Sequence, residues 1–163
     1  MTSLIEKLSS YNLFNYLVPG AVFAALSGQL TSYSLIQSDL ALGVFVYYFA
    51  GLTISRFGSL ILEPILLRVR FVSFAEYRAF VEASKADSKL ETLLEANNTY
   101  RTFAALFLLL LGLKAFEALQ NRVEWFHRNG LTALIVLLLA LFLFSFRKQS
   151  TYITKRVGQS APR

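Results

Sequence analysis

The side chains of this chain that could do chemistry are the few amide and charged groups that interrupt its long apolar stretches. In sequence order they are Asn12, Asn15, Arg56, Glu63, Lys114 and Glu117. A charged side chain at the centre of a bilayer is costly, so such groups usually face a helix bundle or a water-filled cavity. Together these residues could line a polar path or form a gate, although each also has a simpler structural interpretation.

The two asparagines are three residues apart, which places Asn12 and Asn15 on one face of a helix. They could line the mouth of a pore or bind a partner. We favour the alternative that they cap the helix or form hydrogen bonds to a neighbouring helix.

The four charged groups form two sets. Arg56 and Glu63 are seven residues apart, so they share a helix face but are separated by about 10 Å along its axis. That separation is too long for a direct ion pair, and we expect each to need another partner or water. Arg56 could simply anchor the helix at the membrane boundary, or residues 55–64 could form a gate or partner site. Lys114 and Glu117 are three residues apart and can compensate each other.

The sequence offers little for catalysis. It has no cysteine and one histidine, which excludes disulfides, thiolate nucleophiles and Cys–His zinc sites. It also has no Gly-rich phosphate loop, no Ser–His–Asp arrangement and no paired carboxylates at metal spacing. We therefore expect a non-enzymatic protein without a cofactor or metal.

Four apolar stretches must position these side chains, at residues 11–30, 40–62, 100–119 and 131–146. A bilayer core about 30 Å thick requires about 20 helical residues. The sequence therefore predicts an all-α, polytopic membrane protein with four transmembrane helices, forming a single membrane domain over residues 1–163. We expect the N-terminal stretch to be a span and not a cleaved signal peptide, because Asn12, Asn15, Pro19 and Gly20 interrupt it.

The distribution of charge predicts the orientation. Twelve of the sixteen Lys and Arg residues lie in residues 1–10, in the long connector with adjacent Arg101, or in the basic tail 147–163. Only two lie in the connectors on the opposite side. The positive-inside rule then places both termini and the connector 63–99 in the cytoplasm. The basic face predicts contact with anionic lipid headgroups, and nucleic-acid binding is the weaker alternative.

Small residues recur along the first two spans. The candidates for close helix packing or for an oligomer interface are Gly20, Ala24, Gly28, Gly51, Ser55 and Ser59. Small side chains at this spacing let helix backbones approach closely. We expect the first two spans to form a tight inner pair, and a homo-oligomer through the same stripes is the alternative. Pro19 predicts a kink in the first span.

The connector 63–99 is predicted to form a helical hairpin. Pro64 should end the second span. Ser73 with Glu76, and Ser88 with Glu91, have the spacing of capping boxes, and each would begin a helix. The second helix could continue into the third span. The candidate residues for binding a cytosolic protein partner are Phe74, Tyr77, Arg78, Phe80, Lys85 and Lys89.

The chain resembles a group of small bacterial inner-membrane proteins of unknown function in three segments, YNLFNYLVPG at 11–20, RFGSLILEP at 56–64 and NNTYR at 97–101. Small four-helix membrane proteins of this kind also occur in bacterial anti-phage defence systems, where they assemble and act at the inner membrane with a cytosolic component. The resemblance implies a membrane component of a bacterial defence system that senses or perturbs the membrane. We expect this component to form a homo-oligomer through the small-residue faces and to bind a cytosolic partner through the hairpin and the basic tail.

Two other functions stay open. One is a small ion channel or transporter with a polar lining of Asn12, Asn15, Arg56 and Lys114. The other is a passive membrane anchor. Ion-coupled transport has weak support, because the first, second and fourth spans carry no carboxylate at mid-depth.

Overall fold

The architecture is all-helical over the part of the chain that the structure describes, and it confirms the predicted fold class at that level. The structure is a computed structural model that describes residues 2–160, with side chains described for residues 13–157. Within this range there are five helices, which we number α1 (Thr2–Leu30), α2 (Leu40–Arg68), α3 (Tyr77–Ala86), α4 (Lys89–Gln120) and α5 (Glu124–Ser160). Four of them, all except α3, are long and apolar enough to cross a membrane.

The apolar helices are longer than the stretches that predicted them. Helix α4 has 32 residues and begins at Lys89, so the second helix of the predicted hairpin and the third span are one continuous helix. Helix α5 has 37 residues and includes most of the predicted basic tail. The described chain divides into two compact units, one ending at Glu117 and one beginning at Ala118.

In the first unit, α1 and α2 pack with direct contact between their backbones. A Cβ atom added to Gly20 would lie 1.7 Å from the carbonyl oxygen of Tyr47, and one added to Gly51 would lie 1.7 Å from the carbonyl oxygen of Tyr16. The two contacts are reciprocal, because each glycine receives a carbonyl from the other helix. Contacts of Cα–H groups with carbonyl oxygens recur at helix interfaces of this kind. The ring of Tyr16 adds an edge-on contact with the ring of Tyr48, with centroids 5.5 Å apart.

The apolar core of this unit joins α2 to α4. Ile54 of α2 is buried with Ala105, Leu106 and Leu110 of α4. The partly buried side chains that pack against this cluster include three from α1, namely Val22, Phe23 and Leu26. Three helices therefore share one apolar core.

Helix α2 changes its hydrogen-bonding pattern before it ends. Residues Gly58–Leu62 form a π-helical turn, in which the N–H of Glu63 donates to the carbonyl of Gly58. The helix then returns to α geometry and continues to Arg68, so the prediction that Pro64 ends it is wrong. Pro64 has no N–H to donate to the carbonyl of Leu60, and the π turn absorbs this defect without breaking the helix.

The end of α2 is a Schellman motif. The N–H of Phe71 donates to the carbonyl of Leu66, and the N–H of Arg70 donates to the carbonyl of Leu67. Arg70 takes the left-handed conformation, with φ of 59°. Glycine usually occupies this position, because its lack of a Cβ removes the steric cost.

The predicted capping boxes do not begin the connector helices. Helix α3 begins at Tyr77, and residues 73–76 are not helical, so Ser73 caps nothing. For α4, the Asp87 carboxylate accepts a hydrogen bond from the N–H of Lys89 at 2.9 Å, which is the role expected of Ser88. An N-cap contributes about 1 kcal/mol, so a matching spacing alone does not decide where a helix begins.

The second unit begins at Ala118, in the last turn of α4, and consists mainly of the long helix α5. The Gln120 side-chain amide donates to the carbonyl of Phe126 across the turn between α4 and α5. Most apolar side chains along α5 are exposed, among them Leu131, Ile135, Leu139, Leu143 and Phe146. A continuous apolar surface of this length is typical of a helix that faces lipid.

Candidate functional site

The structure brings polar residues of three helices together around one cavity of about 150 Å³ in the first unit. Its lining consists of Asn15 and Tyr16 from α1, Ser55, Arg56 and Ser59 from α2, and Asn98, Thr99, Arg101 and Thr102 from α4. Every one of these side chains carries a polar group. A cavity with apolar walls stays dry. The polar groups in the walls of this cavity instead need water or a ligand as a hydrogen-bond partner.

An ion pair between helices lies beside the cavity, since its arginine belongs to the lining. The Arg101 guanidinium donates from Nη1 to the Glu63 carboxylate. Only 20% of the Arg101 side chain and 14% of the Glu63 side chain are exposed, so the pair is largely removed from solvent. Arg101 Nε is buried and has no hydrogen-bond partner among the described residues. The pair supplies the partner that Glu63 was predicted to need.

The π turn holds α2 close to α4 at this pair. A Cβ added to Gly58 would lie 3.2 Å from the Cβ of Ala105 and 3.4 Å from the carbonyl oxygen of Arg101. The same turn carries Ser59 into the cavity lining, and Glu63 follows it directly. π turns within α-helices are frequent at functional sites.

Arg56 brings a second guanidinium to the cavity. It is half-buried, and the described residues provide its side chain with neither a carboxylate partner nor a hydrogen bond. Since Glu63 already pairs with Arg101, the lining carries one positive charge that no described residue compensates. A charge in an otherwise apolar helix bundle is stabilised by a counter-charge or by water.

The neutral polar groups already make some hydrogen bonds within the bundle. The Thr99 hydroxyl lies 3.4 Å from Asn15 Oδ1 and 3.0 Å from the carbonyl of Glu95. The Thr102 hydroxyl donates to the carbonyl of Asn98 at 2.8 Å. Asn15 therefore contacts a neighbouring helix, as favoured from the sequence, and it also faces the cavity. The Asn12 side chain lies outside the described residues.

Lys114 and Glu117 lie elsewhere, on the far side of the apolar core. Lys114 Nζ donates to Glu117 at 2.7 Å, and the other carboxylate oxygen accepts from the backbone N–H of Ser32 at 2.6 Å. Glu117 thereby fixes the connector after α1 to α4. The order along α4 is a polar cavity, then the apolar core at Leu106 and Leu110, and then this ion pair.

The predicted small-residue candidates take several positions. Gly20 and Gly51 form the contact between α1 and α2, and Ala24 is buried. Ser55 and Ser59 line the cavity. Gly28 is exposed, and an added Cβ would make only ordinary contacts with Ser34. The contact through Gly20 and Gly51 is therefore used within one chain.

The predicted partner-binding residues lie on the connector between α2 and α4. Phe74 is 52% exposed and precedes α3. Tyr77 and Phe80 of α3 are partly buried, and Lys85 and Lys89 are exposed. Arg78 is also exposed and pairs with Glu82 one turn along, at 3.2 Å.

Sequence reasoning missed the contribution of α4 to the site. Asn98, Thr99 and Arg101 lie where the predicted connector meets the predicted third span, and their spacing alone predicts no site there. Depth in the membrane is the signal that could have found them. The second span ends and the third span begins at the same boundary, so Glu63 near the end of one and Arg101 near the start of the other lie at a comparable depth.

Comparison of the chain with protein-family models, with curated proteins and with solved structures finds no match. The interpretation of the site therefore depends on the residues and geometry of this chain.

Proposed function

We propose that this protein is a non-enzymatic, multi-pass component of a bacterial inner membrane, with both termini in the cytoplasm. It would act in anti-phage defence together with a cytosolic partner, by sensing or perturbing the membrane. The observation that carries the membrane part is the set of four long apolar helices with a strongly asymmetric distribution of Lys and Arg. Support for the defence role comes from the sequence resemblance alone.

The connector between α2 and α4 is the proposed surface for the cytosolic partner. Phe71 and Phe74 are exposed apolar side chains, and exposed Arg78 and Lys85 lie close to them in sequence. Aromatic side chains and arginine are enriched in protein interfaces. Oligomerisation, which the sequence also suggested, would have to use surfaces other than the glycine contact between α1 and α2.

The partner proposal is tested by capture of cytosolic proteins with the detergent-solubilised chain. A variant with Phe71→Ser and Phe74→Ser should lose a specific partner that the wild type retains. The matched control is Leu131→Ser with Leu139→Ser, which removes the same kind of exposed side chain from α5. Equal capture by wild type and connector variant would refute a partner site at this surface.

The defence role is tested by phage challenge of bacteria that express the chain from its own locus with its neighbouring genes. We expect plaque numbers to fall relative to cells that lack the chain, and the fall to require Phe71 and Phe74. Unchanged plaque numbers across a broad phage panel would refute the defence proposal. This result would not affect the assignment of the chain as a membrane protein.

The second candidate is a channel, and the polar cavity with Asn15 and Arg56 is the observation that favours it. Against it, the buried apolar cluster of Ile54, Leu106 and Leu110 follows the cavity along the bundle, and these side chains offer water no hydrogen bonds. Purified protein in liposomes should therefore carry no ion flux. A flux abolished by Arg56→Gln would replace our proposal with the channel.

A further inference from the structure

We propose that the cavity between α1, α2 and α4 is a binding site for a phosphate group, held chiefly by Arg56 and Arg101. The ligand class is a phosphate oxyanion, supplied either by a lipid headgroup or as free phosphate. This site goes beyond the proposed function, and it would exist whether or not the protein acts in defence.

Charge is the first argument. Two guanidinium groups line the cavity and one carboxylate, Glu63, neutralises one of them. Arg56 has no described counter-charge. Guanidinium groups bind phosphate and carboxylate oxygens through charge-assisted hydrogen bonds, and arginine is the residue that proteins most often use for this. A single oxyanion would complete the charge balance of the lining.

Hydrogen-bond capacity is the second argument. The Arg101 guanidinium lines the cavity while its Nη1 donates to Glu63, and a guanidinium carries five N–H donors, more than one carboxylate oxygen can accept. The amides of Asn15 and Asn98 and the hydroxyl of Ser55 add neutral donors to the same lining. Two guanidinium groups face one carboxylate around the cavity, and the neutral groups can turn their donors toward a ligand, which suits an anion.

Size and position are the third argument. The cavity has about 150 Å³ and is partly open, whereas about 10–15 Å³ on this measure suffices for one water molecule. Arg56 lies 16 residues from the start of α2, hence about 24 Å along its axis. In a bilayer with a core about 30 Å thick, this level is close to the headgroups at the end that carries the connector. A phosphate from either source could reach it there.

The test uses full-length protein purified in a neutral detergent and stripped of lipid. One arm titrates inorganic phosphate, and the other titrates short-chain phosphatidylglycerol against short-chain phosphatidylcholine as the zwitterionic reference. We expect saturable one-site binding in at least one arm, with phosphatidylglycerol preferred over phosphatidylcholine. Binding of inorganic phosphate would identify free phosphate as sufficient, and binding of phosphatidylglycerol alone would identify the lipid headgroup.

The decisive variant is Arg56→Gln, which should weaken binding by about tenfold or more. Arg68→Gln is the matched control, because it removes the same charge from the same helix at an exposed position outside the cavity. It should bind like the wild type. If Arg56→Gln does not fold, Arg56→Lys keeps the charge without the forked geometry and should give intermediate affinity.

Three outcomes would overturn the proposal. The first is the absence of saturable binding in both arms. The second is wild-type affinity in the Arg56→Gln variant. The third is an equal loss in Arg56→Gln and Arg68→Gln, which would show that the cavity contributes nothing beyond general surface charge.

Discussion

Glu63 and Arg101 illustrate what a single polar contact does between two apolar helices. Burying either charge alone at this position would carry a large desolvation free energy. The attraction between the two charges offsets this cost only when both are present. The pair also links α2 to α4 at this level of the bundle. Specific polar contacts of this kind complement the close apolar packing around Ile54 and Leu106.

Removing one partner of this pair should be costly. Glu63→Gln leaves the Arg101 guanidinium largely buried without its counter-charge, and we expect a loss of about 3 kcal/mol in the free energy of unfolding. Glu82→Gln is the control, because it breaks the exposed pair with Arg78 and should change stability by less than about 0.5 kcal/mol. Unfolding of the purified proteins in detergent measures both. Similar values for the two variants would mean that the buried pair is energetically silent.

The glycine contact between α1 and α2 gives a second prediction for single residues. Gly51→Ala places a Cβ where the carbonyl oxygen of Tyr16 lies, so the helices must separate and we expect a loss of about 2 kcal/mol or more. In the control, Gly112→Ala, the added Cβ meets nothing within 4 Å, and the better helix propensity of alanine should raise stability slightly. A Gly51→Ala protein as stable as wild type would show that the helices do not approach this closely.

At the scale of helices and turns, hydropathy predicted the long elements and failed at their ends. The four apolar helices were predictable because a span needs a long run of apolar residues and little else. Helix ends depend on contributions near 1 kcal/mol, so Ser73 looked like a cap and is not, while Asp87 is. The π turn before Pro64 was also not predictable, since an unbroken helix there requires a rearranged hydrogen-bond pattern that no residue spacing encodes.

The Schellman motif at the end of α2 makes a prediction for this element. Arg70→Gly should stabilise the protein by about 1 kcal/mol, because it removes the steric cost of a Cβ in the left-handed conformation. Arg70→Ala removes the same charge and keeps the Cβ, so it should give no comparable gain. Thermal unfolding in detergent compares the two. Equal effects of glycine and alanine would assign any change to the lost charge and not to the backbone.

The cap of α4 makes a further prediction. Asp87→Ala removes the acceptor for the N–H of Lys89 and should destabilise the first turn of α4 by about 1 kcal/mol. Faster hydrogen exchange at residues 89–91 would report this fraying. Ser73→Ala is the control and should leave these amides unchanged. A larger effect of Ser73→Ala than of Asp87→Ala on hydrogen exchange would favour the predicted capping boxes over the cap at Asp87.

At the scale of the whole molecule, the sequence predicted the architecture better than the site. Lengths and charges determine the class of protein, and they need no knowledge of which helix contacts which. The cavity instead requires Asn15, Arg56 and Arg101 to meet from three helices separated by long stretches of chain. Each of these residues has an ordinary interpretation on its own, so only their positions in the fold make them a site.

The proposed topology makes a prediction for the entire chain. Green fluorescent protein fused after residue 163, or inserted after Ala86, should fluoresce, whereas alkaline phosphatase at the same positions should be inactive. The opposite pattern is expected for insertions in the connector between α1 and α2. Phosphatase activity at residue 163 would contradict an even number of crossings with the basic segments in the cytoplasm.

The apolar cluster beside the cavity has one more consequence. The buried side chains of Ile54, Leu106 and Leu110 follow the polar lining along the bundle. Apolar surroundings of this kind do not hold water, so we expect the contents of the cavity to exchange on its polar side. A ligand bound there would then report the composition of one side of a membrane and would not be carried across it.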